Sequence, residues 1–163
     1  TPLSRWEWLL AQTLVNVAAI GAAGLLLLGL LVVATTATVV VSPLLVLLVP
    51  FVALGVALFC GVGALLGSYA DSQDGVIAAS NGIALPLLFL SETFVHPDML
   101  PGWLPTELSP LTYFARGVRA VTYNGGQQAG VLSGLGAPEY LFAVAALAGV
   151  AFALGAWSLP RTD

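Results

Sequence analysis

Lysine is absent from this chain, and cysteine and histidine occur once each. Without lysine no phosphate-cradling loop of the G-x-x-x-x-G-K-[ST] type can be written, which excludes ATP hydrolysis by that route. His96 and Cys60 alone cannot assemble a metal site by familiar ligand spacing. No serine stands in a G-x-S-x-G setting, and one histidine gives a nucleophile little help, so a hydrolase is not expected. His96, before Pro97, reads as a solvated or hydrogen-bonded interfacial residue. Cys60, deep in an apolar run, reads as packing filler, and no intramolecular disulfide is possible. The 4 basic residues are all arginines scattered along the chain, which leaves no nucleic-acid footprint.

Charge as a whole is scarce. Charged residues make up 7% of the chain against 59% hydrophobic, with a mean hydropathy of +1.01, a balance that no soluble domain of this length could carry on its surface. The chain is therefore expected to be an integral membrane protein. It begins at Thr1 rather than methionine, and its first apolar run far exceeds the roughly 7 to 15 residues of a signal-peptide core, so a segment of a longer protein is expected.

Residues 1–8 form a polar and aromatic lead-in, with Trp6 and Trp8 suited to a membrane interface. Thr1 and Ser4 offer hydroxyls, Arg5 and Glu7 offer charge, and Pro2 stiffens the segment. Together they suit docking to a soluble surface, or more simply an interfacial anchor. No charge follows Glu7 until Asp71. A single helix from Trp8 to Tyr69 would be about 93 Å long, against a hydrocarbon core of about 30 Å, so two spans with a turn between them are required. The β-branched run at 34–41, followed by Ser42 and Pro43, is the expected break. Spans are placed at 9–33, 43–68, 75–94 and 140–159, giving an all-α polytopic protein in one domain over 1–163. Gly63 and Gly67, and separately Ala145, Gly149 and Ala153, recur at the four-residue spacing that lets membrane helices approach closely.

The third span contains Pro86, which has no N–H to give the carbonyl of Gly82, so a kink is expected there. Asn81 either hydrogen-bonds across helices or lines a path. The charge-free run of each span, 75–91 in the third, carries no carboxylate or histidine of the kind that gradient-driven carriers use, so the energy for any transport would arrive from a partner. Beyond Ser91 and Glu92, Pro97, Pro101 and Pro105 forbid a continuous helix, and backbone so broken at membrane depth points to a pathway. A short helix then starts with Ser109 as cap and Pro110 at its first position, and ends at Asn124 and Gly125. On it Leu111, Phe114, Ala115, Val118 and Val121 share one face, and Thr112, Arg116, Arg119 and Tyr123 the other. A short helix with two arginines is expected to lie on or dip into the membrane. Either its arginines snorkel to headgroups, or at least one pairs with Glu92, Asp98 or Glu107 to close a gate.

The stretch LPLLFLSETFVHPDMLPGWLPTELSPLTYFARGVRAV resembles the signature region of ABC type 2 exporter permeases through Pro86, Phe89 to Ser91, Phe94, Pro97, Pro101, Trp103, Pro110 to Tyr113 and Arg119. TPLSRWEWLLAQTL is similar to that family's lead-in to its third membrane helix through Thr1, Pro2, Ser4, Arg5 and Glu7. Glu92 stands where glycine is common, Ser109 where asparagine precedes the proline, and Gln12 where lysine is usual.

The resemblance implies the last four of six permease helices, without a catalytic group, cofactor or metal of their own. It implies a second permease copy and an ATP-binding-cassette subunit carrying ATP and magnesium on another chain, in a cell-membrane exporter of a small hydrophobic or lipid-linked substrate. Both ends of the segment would be cytoplasmic, a topology that arginine counts leave tied. ATPase coupling would fall to Thr1, Pro2, Ser4, Arg5 and Glu7. Pathway and gate would fall to Asn81, Pro86, Ser91, Glu92, Pro110, Tyr113, Arg116 and Arg119. The alternatives are a non-transporting membrane scaffold or assembly subunit, and a gradient-driven carrier.

Overall fold

The computed structural model describes residues 4–35, 43–93, 99, 101–103, 105–122 and 136–159. Among them the chain is all-α, with helices α1 (Arg5–Thr35), α2 (Leu48–Tyr69), α3 (Gln73–Leu90), α4 (Pro110–Thr122) and α5 (Ala137–Ser158). Among the described residues, four segments are long and apolar enough to cross a membrane: Arg5–Leu27, Leu45–Tyr69, Gln73–Leu90 and Ala137–Ser158. The protein is a multi-pass membrane protein of all-α polytopic fold. Large apolar side chains left open, such as Leu25, Val33 and Phe142, form the surface that lipid or neighbouring helices would cover.

Helix ends follow local chemistry. Ser4 and Glu7 form a reciprocal cap: the Ser4 hydroxyl accepts from the Glu7 amide at 3.3 Å, and the Glu7 carboxylate accepts from the Ser4 amide at 2.7 Å. Ser72 starts α3 by accepting from the Gly75 amide at 3.1 Å. Pro43 opens a 3-10 turn, Pro43–Leu47, rather than the α-helix itself, which begins at Leu48. The third span, expected to reach residue 94, stops as a helix at Leu90, where Ser91 and Glu92 turn. The helix continues through Pro86. Of the expected break at 34–43, Ala34 and Thr35 still belong to α1, while 36–42, like Phe94 and the helix stop at Asn124 and Gly125, lies outside the described residues.

Helices α2 and α5 make the largest interface, and they run parallel. Phe51 near the start of α2 packs with Tyr140 near the start of α5, and Gly61 further along meets Ala151 and Gly155. At that crossing a Cβ on Gly61 would land on the Ala151 carbonyl, and one on Gly155 would land on the Gly61 carbonyl. Only glycine allows the two backbones this close, and in a membrane such van der Waals contact replaces the hydrophobic effect as the force between helices. The expected small-residue faces are therefore corrected. Gly63, Gly67 and Gly149 have open space where a Cβ would stand, and the α5 contact face runs through Ala137, Tyr140, Val144, Ala148 and Gly155. Glycine is common on every side of a membrane helix, so spacing alone did not select the packed side.

Antiparallel to α2, α3 has no buried residue and touches the bundle sparsely. At its far end α4 wedges between α2, α3 and α5. Phe114 meets Phe51 edge-on, with ring centroids 6.4 Å apart, and Phe51, Ala120, Val121, Ala137, Tyr140 and Val144 close a small core.

Candidate functional site

The end of the bundle where α4 sits concentrates the buried polar chemistry. Ser91, Glu92, Ser109, Thr112 and Arg116 are all buried. Ser91 closes α3, its hydroxyl donating to the Leu88 carbonyl at 2.7 Å. Glu92 follows with φ of 59°, in the left-handed region that favours glycine, and this turn swings its side chain back against α4. There it meets the Arg116 guanidinium in a bidentate pair: Nε donates to Oε2 at 3.0 Å and Nη2 donates to Oε1. Arg119, one helical turn on, donates through Nη2 to the Glu92 backbone carbonyl, and its Nη1 lies 3.7 Å from Oε2. Both members of the main pair are 2% exposed. The Glu92 hydrogen bond pushes the Arg116 guanidinium above its ordinary range, opposed by burial.

Neighbouring hydroxyls tie α4 to α3. Ser109 Oγ donates to the Leu87 carbonyl at 3.2 Å, so the hydroxyl expected to cap α4 serves another helix, and the Thr112 hydroxyl lies 2.6 Å from the Thr106 carbonyl and 3.2 Å from that of Leu90. Carbonyls at the end of α3 lack intrahelical partners, and α4 supplies donors to them. Of the two outcomes expected for the α4 arginines, pairing with an acid is the one observed, between Arg116 and Glu92. Thr112 and Arg116 face protein because Glu92 and the α3 carbonyls offer them acceptors that lipid cannot. Among the described residues, three polar atoms in this region are buried without a hydrogen-bond partner: Arg116 Nη1, Arg119 Nη1 and Tyr140 Oη.

Of the residues expected to form a pathway or gate, the structure brings Ser91, Glu92, Arg116 and Arg119 together. Pro110 stands at the start of α4, and Tyr113 packs half-buried on the Phe51 core. Asn81 and Pro86 lie on exposed parts of α3, away from the cluster. Glu107 is exposed, while Tyr123, His96 and Asp98 lie outside the described residues. Ser109, Thr112 and Tyr140 were not singled out as site residues. The hydroxyl spacing of Ser109 and Thr112 at the front of a short apolar helix was the available signal.

At the opposite end, Arg5 Nη1 donates to the Trp157 carbonyl at 3.1 Å, fastening the start of α1 to the last turn of α5. Trp6 packs on Phe152 beside this bond, their ring centroids 5.8 Å apart. Ser4 and Glu7 are engaged in the cap of α1, and Thr1 and Pro2 lie outside the described residues.

A groove of about 910 Å³ runs between α1 and α2, from Trp8, Ser68 and Leu159 at this end to Leu111 and Phe114 of α4. Its wall is mainly apolar, interrupted by Gln12, Asn16, Cys60 and Ser68; Asn16 Nδ2 donates to the Cys60 sulfur at 3.4 Å. None of these had been expected to line a path. Gln12 and Asn16, amide side chains four residues apart in a mainly apolar helix, carried the readable signal. Cys60 packs, as expected, but at the groove wall.

A family model described as ABC-2 type transporter matches residues 1–123. No curated protein and no solved structure matches the chain.

Proposed function

The chain belongs to the ABC-2 type transporter family and is a permease component of an ABC-type transporter, and from that membership we propose that it forms the substrate pathway of an exporter driven by a separate ATPase subunit. A second permease copy completes the pathway. The substrate is small and hydrophobic or lipid-linked, and both ends of the segment face the cytoplasm of a cell-membrane protein. ATP and magnesium belong to the partner, and this chain contributes no catalytic group.

The observation that carries the reading is the buried Glu92–Arg116 pair, which fastens the end of α3 to α4. An ion pair in a membrane protein is costly to bury and marks function more often than stability. Here it acts as the latch of the outer gate, with Arg119, Ser91 and the Pro110 start of α4 holding its frame and Tyr113 packing behind it. The α1–α2 groove supplies an apolar wall for the substrate. Asn81 and Pro86, exposed on α3, line the same path once the second copy is present. Residues 1–7, with Thr1, Pro2, Ser4, Arg5 and Glu7, receive the motion of the ATPase.

Reconstitution with the ATPase subunit in vesicles tests this reading. Hydrophobic fluorescent dyes are expected to stimulate ATP hydrolysis and to move across the membrane with it. A folded complex that binds the ATPase yet shows neither effect would favour a scaffold.

A further inference from the structure

The α1–α2 groove changes character along its length. At the Trp8 end it carries hydrogen-bonding side chains: Ser68 on α2, then Gln12 and Asn16 one helical turn apart on α1. Asn16 faces Cys60, to whose sulfur it donates at 3.4 Å. Sulfur is a weak acceptor, and an amide carries further donor and acceptor positions to offer a ligand. Beyond this rung the lining turns apolar, through Ile20, Val52 and Val56 to Leu111 and Phe114 of α4. From Trp8 to Asn16 on α1, and from Cys60 to Val52 on α2, the two halves are each about 12 Å long, at a rise of about 1.5 Å per residue. The floor is open, since Gly63 and Gly67 have no atom within 4 Å of where a Cβ would stand. Among the described residues, no carboxylate, guanidinium or imidazole lines the groove. At its polar end Arg5 is bonded to the Trp157 carbonyl and Glu7 to the cap of α1. An ionised group drawn into the groove would meet no countercharge there, whereas a neutral polar group would find amide and hydroxyl partners.

We propose that the groove binds one uncharged amphiphile from the bilayer, with a hydroxyl- or amide-bearing head among Gln12, Asn16 and Ser68 and an apolar chain running to Phe114. The ligand then lies as a lipid of the leaflet at the Arg5 end lies, head toward Trp8 and chain toward the bundle interior. A membrane-spanning helix fits this split less well, because its apolar side chains would cover Gln12 and Asn16. The site names the substrate class of the export path and rests on that reading for its role, though not for the binding itself.

Cys60 is the only cysteine of the chain and stands where the two halves meet, so its rate of labelling by a lipid-soluble maleimide reads occupancy of the groove. The full chain is reconstituted alone in phosphatidylcholine vesicles. A monoacylglycerol, an alkyl sulfonate and an alkyltrimethylammonium of equal chain length are then added at low mole fraction. The monoacylglycerol is expected to slow labelling saturably, with a half-saturating mole fraction at least about tenfold below that of either ion. Gln12→Leu should raise that fraction roughly fivefold, the effect of one lost hydrogen bond, and Gly63→Leu, which fills the floor, should abolish the saturable effect. Gln12 is exposed on α1, so Gln12→Leu keeps the test decisive if Gly63→Leu does not fold. Equal protection by all three probes, protection by none, or a half-saturating fraction that Gln12→Leu leaves unchanged would overturn the proposal. Labelling that slows with protein density and ignores the probes would place a second copy in the groove and overturn it as well. Dye export without protection by the monoacylglycerol would sink this site and leave the export reading standing, and protection without dye-stimulated ATP hydrolysis would do the reverse.

Discussion

Glu92 holds a backbone conformation that costs a residue with a Cβ about 1–2 kcal/mol relative to glycine. In this chain the glutamate is held there by two arginines. Removing one partner of a buried pair strands the other, at about 3–5 kcal/mol, which outweighs the relieved strain. Glu92→Gly is therefore expected to lower stability despite its better backbone fit. Glu92→Gly combined with Arg116→Met should recover much of the loss, because the stranded charge goes with it. Unfolding in detergent across this double-mutant cycle checks the sign of the coupling, and a Glu92→Gly chain as stable as the unsubstituted one would show that the pair contributes nothing. That an arginine of α4 would pair with an acid was legible, since Arg116 and Arg119 sit one turn apart in a chain with little other charge. Which acid was not. Asp98 and Glu107 are nearer in sequence, and the positive φ after Ser91 aims Glu92 at α4.

Among the helices, the α2–α5 pair shows a gradient of side-chain size. Phe51, Tyr140 and Val144 fill the α4 end, whereas Gly61 and Gly155 meet backbone to backbone toward the Arg5 end. The larger side chains hold the helices apart where α4 must enter, and the glycines let them close where nothing intervenes. Gly61→Leu is expected to cost several kcal/mol by overpacking at a rigid backbone contact and to abolish a monodisperse folded product. Gly149→Leu, which points into open space, should fold normally, and size-exclusion profiles of the two purified variants separate the cases. The four-residue spacings in the sequence correctly announced close helix contacts but chose neighbouring faces, because period without partner cannot say which stripe is covered. Pro86 lies on the exposed α3, where its missing N–H affects no contact with the rest of the bundle. Pro86→Ala is thus expected to leave membrane insertion intact while changing the rate of dye export in vesicles, and an unchanged rate would remove the proline from the pathway.

Across the whole molecule, the number of spans and their alternation follow from the length of the apolar runs and the thickness of a bilayer, both available in the sequence. Which acid and which carbonyls the α4 polar face meets was not available, since periodicity groups residues without saying what each group meets. Among the described residues, polar contacts close the bundle at opposite ends: the Glu92 cluster, and the bond from Arg5 to the Trp157 carbonyl. The second closure lies beside the lead-in proposed to receive the ATPase, and it joins the start of α1 to the end of α5. A push on residues 1–7 would therefore move two spans together, and α1 carries no proline to absorb it. Two roles of Arg5 can be separated. As a donor, it satisfies a carbonyl at the α5 terminus, where a cation contributes about 0.3–1 kcal/mol. As a charge, it is the handle proposed for the ATPase. Arg5→Gln keeps a donor and loses the charge, and Arg5→Glu loses both and places an acid at the negative end of α5. Both variants are expected to insert, with Arg5→Glu slightly less stable. If the charge docks the ATPase, the ATPase subunit reconstituted with either variant should hydrolyse ATP without dye-dependent stimulation, and full stimulation with Arg5→Gln would confine Arg5 to holding α1 and α5 together.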